Sequence, residues 1–430
     1  MRRMRALDKT DPDDPRGFTQ QANIHCAYCN GAHDQLGYPG LDLSVHYSWI
    51  FFPFHRWYLY FFERILGSLI DDPDFALPYW NWDNDTDNPR GMQFQAIFNN
   101  PNSPLYDSFR NQANVPPAVA SLSLRNKATE PTQIISENLS IMYNKMIGGV
   151  NSATDFMGQP YRAGNQVPPM TDAGTVERGS HIAIHVWVGD PRQPYNEDLG
   201  NFYSAARDPV FYAHHSNVDR MWTIWQGIKT RYRKTITDPD YLNASFLFYD
   251  EKKRLVRVKA GDCTDNKALG YQYQKVETPW ECYRLRKTVL PVMTKEIARG
   301  APGPEKVFPV GLKETVRVVV VKLSKGNADD WLVLEDIQTD CTKLVKFDVF
   351  VNDEDDEPGE PDRPGYAGTY AQLPHRVYSS QIKGALKLGL KELYENIDVG
   401  DQESVVVTIV PRINGEVVTI GGVKIIPASR

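Results

Sequence analysis

Six of the nine histidines fall into two groups of three, His25/His46/His55 and His181/His185/His215, and they lie in or beside strongly apolar segments. A buried imidazole needs a partner for each ring nitrogen, so a fold that buries these histidines must gather them around something. Neutral imidazole is the commonest protein ligand for copper, zinc, iron and nickel. Each group has the makings of a metal site with a position left open, and two such sites face to face could hold a small molecule between them.

Local pattern gives the second group its geometry. Thr175 is placed to cap a helix through Val176–Val188 that stops near Gly189. Glu177, His181 and His185 then follow at i, i+4 and i+8 and project from one face. A carboxylate there could hold a water or accept a proton. Asp208-Pro209 reads as an N-cap with proline at the first helical position, opening a second helix that carries His214 and His215 to about Gly227. Adjacent helical residues point about 100° apart. One of these two histidines therefore ligates, and the other, taken as His214, is expected beside the site. Asn217 and Asp219 are polar groups of the kind that orient ligand imidazoles.

For the first group, Pro53 is expected to open a helix over Phe54–Leu66, closed by Gly67 and apolar nearly all round, which means burial. His46 precedes it in a loop, and His25 comes 21 residues earlier. His25-Cys26-Ala-Tyr-Cys29 has a zinc-like look, but no second cysteine pair lies at zinc-ribbon spacing.

At 430 residues the chain is long enough for two or three domains. A net charge of −6 argues against a nucleic-acid partner. The most apolar stretch, Trp49–Leu69, is interrupted by Pro53, His55, Arg56, Glu63 and Arg64, so it reads as a core helix and no membrane span is expected. Met1-Arg-Arg-Met4 runs into polar sequence with no apolar targeting region; a cytosolic protein, or a chain that has lost its address, is the expectation. Five cysteines are too few for a disulfide scaffold. Asn84, Asn138 and Asn243 head glycosylation-type triplets too short to carry weight.

The first 230 or so residues carry helix signals, with 84–175 looking loop-rich. A Pro/Gly-rich linker is expected over 300–312. Beyond it, Glu314–Leu323, Leu344–Val351, Ser404–Val410 and Glu416–Ile426 are rich in valine and isoleucine and separated by turns, which predicts an all-β sandwich over 313–430. The expected class is α+β: a mainly helical domain over 1–299 with a four-helix core around the paired site, then the β module. The acidic stretch 352–362 reads as a solvated loop.

Several motifs resemble those of plant polyphenol oxidases, the catechol oxidase and tyrosinase family: His25-Cys-Ala-Tyr-Cys-Asn-Gly, Phe52-Pro-Phe-His-Arg-Trp, Ala76-Leu-Pro-Tyr-Trp-Asn-Trp-Asp83 and His214-His-Ser-Asn-Val-Asp-Arg220. Tyr271-Gln-Tyr273, the segment Asp238–Asp250 and Lys346-Phe-Asp-Val349 resemble the marker of the catalytic domain's end, an intervening segment at about 230–290, and the C-terminal signature. The resemblance covers nearly the whole chain. It implies two copper ions of the type-3 kind, the first on His25, His46 and His55, the second on His181, His185 and His215. It also implies a thioether between Cys29 and His46, Glu177 positioning a water, and Phe202 over the second copper as a gate for the aromatic ring.

The implied partners are dioxygen and small phenols, and the implied location is the plastid, in the thylakoid lumen. The β module is expected to shield the site and keep the enzyme latent. Family members carry further N-terminal cysteines that form two disulfides, one to the position of Cys26; no cysteine precedes Cys26 here, so the N-terminal region reads as shortened. Where efficient monophenol oxidisers often have Asn after the histidine at 181, this chain has Ile182, and Val186 is also apolar. The expectation is therefore oxidation of o-diphenols to o-quinones, with weak hydroxylation of monophenols. The competing readings are a tyrosinase with substantial monophenolase activity, a haemocyanin-like dioxygen carrier, and a paired-zinc hydrolase. The last normally needs bridging carboxylates, and none has ligand-like spacing here.

Overall fold

The computed structural model describes residues 1–84, 91–124, 130–166, 173–230, 232, 234–283, 300–323, 330–353, 360–374, 381–397, 399, 402–403 and 404–427. Its first part is helical: α1 (Arg2–Thr10), α2 (Phe18–Cys29), α3 (Phe51–Ile70), α4 (Pro131–Tyr143), α5 (Ile182–Val188) and α6 (Val210–Gly227). Four of these, α2, α3, α5 and α6, surround the histidines, which is the four-helix core expected for the paired site.

Helix α3 is longer than expected at both ends. It begins two residues before Pro53 and runs through Gly67 to Ile70, stopping at Asp71 in the left-handed conformation, whose N–H returns to the carbonyls of Gly67 and Ser68. Gly67 does not close the helix. It makes room for the returning chain, since a Cβ there would lie 2.7 Å from the Asp72 carbonyl oxygen. Phe51, Phe52, Phe54, Tyr58, Phe61, Phe62 and Ile65 are buried along α3, each contributing about 1.5–3 kcal/mol. Asp208 caps α6 as expected, accepting the Val210 N–H at 2.8 Å. Thr175 does not cap its helix, because its hydroxyl donates to the Lys145 carbonyl instead. That helix also opens with a π-turn over Glu177–His181, closed by the His181 N–H on the Val176 carbonyl. Helix α4 falls inside the stretch expected to be loop, although Pro131 at its first turn is a start signal. Asn138 on α4 is buried and bonded to the Leu122 N–H and the Ala120 carbonyl, so its glycosylation-type triplet faces the core.

Besides the short strand pair Asp34–Gln35 and Tyr38–Asp42 in the first part, a small hairpin of β1 (Ser245–Tyr249) and β2 (Leu255–Lys259) is followed by β3 (Val310–Gly311), β4 (Val316–Val321), β5 (Asp330–Asp340), β6 (Val345–Val351), β7 (Tyr366–Gln372), β8 (Gln381–Gly389), β9 (Ser404–Ile413), β10 (Thr419–Ile420) and β11 (Gly422–Pro427). One antiparallel sheet runs β8-β5-β10-β3 with β11 also on β5; the other runs β4-β9-β6-β7. Val318, Leu332, Leu334, Phe347, Val349, Leu388, Val405 and Val407 share one buried core with others. The end of the expected linker belongs to the sheet, since Val310–Gly311 pairs with Thr419–Ile420 and Leu312 is buried. Strands β5, β7 and β8 and the short helix Lys391–Ile397 were not expected.

The two parts meet through α4. Ser140 donates to the Pro361 carbonyl at 2.8 Å, Tyr143 to Glu392 at 2.6 Å, and the buried Lys346 ammonium to the Ser123 carbonyl at 2.7 Å. Lys145, only 1 % exposed, lies in the same seam. Burial first, then Arg178 and Lys346, push its ammonium down to about 7, with Asp348 opposing.

Between about pH 7 and the ordinary lysine value the unfolded chain binds this proton and the folded chain does not, so folded stability rises with pH there. Below pH 7 both states are charged and the burial penalty is fully present. Lys145→Met is accordingly expected to raise the thermal midpoint at pH 6 by about 2–4 °C, with the gain shrinking at pH 9. Calorimetry of the full chain at the two pH values checks it.

Candidate metal centre

Both histidine groups are brought together, the second with His214 added to it. Ligand atoms of His25 (α2), His46 (the loop before α3) and His55 (α3) all lie within 4.8 Å of one another, and so do those of His181, His185, His214 and His215. All seven rings are buried. The groups face each other, with the His55 and His215 rings stacked at 4.2 Å and an interplanar angle of 7°.

Backbone carbonyls orient the rings. Nδ1 of His55 bonds the Phe51 carbonyl at 2.8 Å, and Nδ1 of His181 bonds the Glu177 carbonyl at 3.0 Å. Nδ1 of His25 bonds the Phe202 carbonyl at 2.9 Å, and Nδ1 of His185 bonds the Leu199 carbonyl at 2.6 Å. A carbonyl has no proton to give, so Nδ1 carries the hydrogen in each ring and Nε2 keeps its lone pair. One loop, 199–202, thereby holds a histidine from each group.

Burial, more than any neighbouring charge, pushes His55 down to about 3 and His185 to about 4, and drives His181, His214 and His215 well below the ordinary histidine value. Neutral rings are the ligating form. The Nε2 atoms of His55 and His181 are buried with no hydrogen-bond partner. Those of His185 and His215 are 3.4 Å apart, near the roughly 3.3 Å separating two nitrogens on one tetrahedral metal with bonds of about 2.0 Å. Desolvated lone pairs left this way are destabilising unless a cation takes them, and the donor set suits copper or zinc.

Cys29 Sγ lies 3.5 Å from His46 Nδ1 and 3.6 Å from each ring nitrogen of His25. Glu177 is buried, with Oε1 accepting the Tyr47 N–H at 2.7 Å and Oε2 without a hydrogen-bond partner. Burial pushes its carboxyl well above the ordinary range. The π-turn carries Glu177 and His181, so their spacing departs from the regular i, i+4 geometry read from the sequence.

Phe202 is placed differently from the expectation. Its ring stacks on His46 of the first group at 4.2 Å and 19°, and lies farther from His181 and His185, at 6.4 and 6.1 Å. Ile182 and half-buried Val186 flank it in one apolar cluster with Tyr47, Ala371 and Leu373.

Asn217 and Asp219 do not orient the imidazoles. The Asn217 amide donates to Asp83 and its carbonyl accepts from Arg220. Asp219 accepts Arg56 at 2.6 Å and the hydroxyls of Tyr271 and Tyr273, each at 2.5 Å. Both residues brace α6. His214 lies closer to the ligand atoms than expected, its ring stacked on His181 at 5.4 Å and 14°, with both nitrogens buried and without hydrogen-bond partners. His33 stacks on Tyr28 at 4.1 Å; His375 lies outside the described residues. None of the five cysteines is in a disulfide; Cys26 is half-buried and Cys282 exposed. Sequence reasoning missed Tyr47 and Leu373: an aromatic in a loop and a leucine after a strand carry no distinguishing pattern.

Removing the Asp219 carboxylate leaves Arg56 buried and unpaired, so Asp219→Ala is expected to lower stability by about 3–5 kcal/mol. Chemical denaturation of the metal-free chain measures this apart from any effect on metal.

Comparison with known proteins agrees with this arrangement. Residues 15–228 match the common central domain of tyrosinase, 235–286 the polyphenol oxidase middle domain, and 308–427 the chloroplastic polyphenol oxidase C-terminal domain. The chain is 45% identical to a chloroplastic polyphenol oxidase of Malus domestica over 98% of this chain and 74% of the relative. It is 43% identical to aureusidin synthase of Antirrhinum majus over 98% of this chain and 76% of the relative. The solved structure of a latent apple tyrosinase superposes with a TM-score of 0.89 at 44% identity, covering 100% of this chain and 93% of that one.

Proposed function

The chain belongs to the plant polyphenol oxidase family, and on that footing we propose that it oxidises o-diphenols to o-quinones with dioxygen as acceptor. Two diphenols each lose two electrons and two protons, and dioxygen is reduced to two waters. Two copper ions are the cofactor. His25, His46 and His55 would hold the first, and His181, His185 and His215 the second, with His214 left as a stacking neighbour. The observation that carries the reading is the pair of facing, buried imidazole groups whose ring nitrogens converge.

The copper pair, when bound, supplies the electron exchange between phenol and dioxygen. The rest falls to the chain's own residues. Phe202 offers an aromatic face above His46. Glu177, with one oxygen tied to Tyr47 and the other unpartnered, is the group available to take a phenolic proton. Cys29 is close enough to His46 for a thioether that would fix that ring. Ile182 and Val186 present no polar atom to hold a water beside Glu177, which favours diphenols over monophenols.

Family membership leaves the substrate open. A relative of 43% identity is an aureusidin synthase, and one of 45% is named simply a polyphenol oxidase. Relatives named chloroplastic support plastid location, with the thylakoid lumen as the finer reading.

The β module at 313–430 is proposed to keep the enzyme latent. Leu373, fully buried, and Ala371 share the apolar cluster of Phe202, Ile182 and Val186, with Leu344 and Ile382 packed against it. Leu373 is thus the residue proposed to fill the space where a phenol would sit.

Copper-loaded chain is expected to consume dioxygen and form quinone from a catechol faster than from the matching monophenol. A comparable monophenol rate would overturn the preference, and reversible oxygenation without turnover would overturn the enzyme reading. His55→Ala and His215→Ala are each expected to lower metal content from two coppers to about one and abolish turnover. Leu373→Gly is expected to raise the activity of the full chain several-fold without proteolysis or detergent; an unchanged rate rejects Leu373 as the plug.

A further inference from the structure

Tyr47 stands out as the one aromatic residue with a positive φ, 65°, among the described residues. A bulky side chain avoids this left-handed region, and such conformations persist where surrounding structure enforces them, often at functional sites. Two contacts enforce this one. The Tyr47 N–H is directed at Glu177 Oε1, 2.7 Å away, across 130 residues of sequence. The ring is buried beside the stacked His46 and Phe202 rings, with centroids 5.9 and 6.1 Å distant.

The ring therefore sits at the edge of the first histidine group, next to His46. It shares an apolar cluster with Phe202, Ile182 and Leu373, so it borders the space that Leu373 is proposed to fill. The Tyr370 and Cys341 side chains of the β module lie near enough to bear on its hydroxyl. A regular backbone after His46 would turn this side chain elsewhere, because inverting φ changes the direction of Cβ relative to the chain.

We propose that Tyr47 is a specificity-determining residue of the phenol site: its ring forms the wall beside Phe202 and opposite Ile182 that a para substituent on the substrate must pass. The left-handed turn puts the ring there and in the same stroke ties down Glu177. The inference rests on the phenol-oxidase reading above. It assigns to Tyr47 control over the size of the ring substituent, separate from the polarity effect of Ile182.

The test uses the copper-loaded full chain in mild detergent, with catechol and 4-tert-butylcatechol as probes. Tyr47→Gly and Tyr47→Asn both accept the left-handed conformation, so either can keep the turn while deleting the wall. The ratio of KM for 4-tert-butylcatechol to KM for catechol is expected to fall at least fivefold in both variants, and Tyr47→Phe, which keeps the ring, is expected to restore the parental ratio. Copper content confirms that the histidine groups remain assembled. A ratio unmoved in both deletion variants at full copper content overturns the wall. If the parent chain oxidises neither catechol, the underlying phenol-oxidase reading fails instead, so the two failures are told apart.

Discussion

The structure depends on keeping seven imidazoles dry in the centre of a helical core. Their burial is what drives the described pKa shifts, and it would be destabilising if the rings were free to turn. Four are fixed through Nδ1 by backbone carbonyls, and the choice of carbonyl is informative. His55 and His181 use the residue four earlier on their own helical turn, Phe51 and Glu177. His25 and His185 belong to opposite groups yet both lean on the 199–202 loop. That loop is in turn pinned by Ser204 on the Asp198 carbonyl and Asn201 on the Tyr195 carbonyl. A single irregular segment therefore registers one group against the other, which is a tighter coupling than two helices packed only by apolar side chains would give.

Around that centre, extended segments are attached by side chains where no strand ladder is present. Asp83 receives Arg220, Asn217 and the Trp280 indole; Asp219 receives Arg56, Tyr271 and Tyr273. Both carboxylates are buried, and each has several donors, which is the condition under which a buried charge is tolerated. The polar residues of Trp80-Asn-Trp-Asp83 and Tyr271-Gln-Tyr273 are thus struts, tying residues 76–84 and 271–280 to α6 and α3. Arg56 adds its own stack on Trp222, 3.7 Å from the ring centroid.

Much of this was legible in the sequence, and the exceptions have physical causes. Histidines in apolar helices announce themselves, because only a shared partner makes such burial tolerable; hence both groups were readable. Asp208-Pro209 is a local signal and held. Thr175 is an equally good local signal and failed, since Lys145 offered its hydroxyl a tertiary partner. Asp219 and Asn217 follow His215 closely on α6, but their side chains are taken by Arg56, Tyr271 and Tyr273 and by Asp83 and Arg220, and sequence offset alone does not say which neighbour a polar side chain will find. The π-turn at Glu177–His181 adds a residue to the turn without any residue type that marks it. Strand β7 was missed because Tyr366-Ala-Gly-Thr-Tyr-Ala-Gln372 is buried on both faces and so lacks alternation. The role proposed for Leu373 depends on where that strand ends relative to a site more than 150 residues away in sequence.

On the proposed reading, selectivity and latency compete for one surface. Phe202, Tyr47, Ile182 and Val186 form an apolar patch suited to an aromatic ring, and a patch of that kind, left open, is equally suited to any apolar side chain. The β module supplies Leu373 from a covalently attached domain, so its effective concentration at the site is of the order of millimolar and modest intrinsic affinity suffices. Polar contacts to the module lie along α4 and the 120–124 segment, Tyr143 with Glu392, Ser140 with Pro361 and Lys346 with Ser123, and also at the π-turn beside the site, where Arg178 donates to the Lys387 carbonyl at 3.0 Å. A change confined to Leu373 therefore frees the phenol space while the α4 seam and the Arg178–Lys387 contact remain closed, whereas detaching the module must break both.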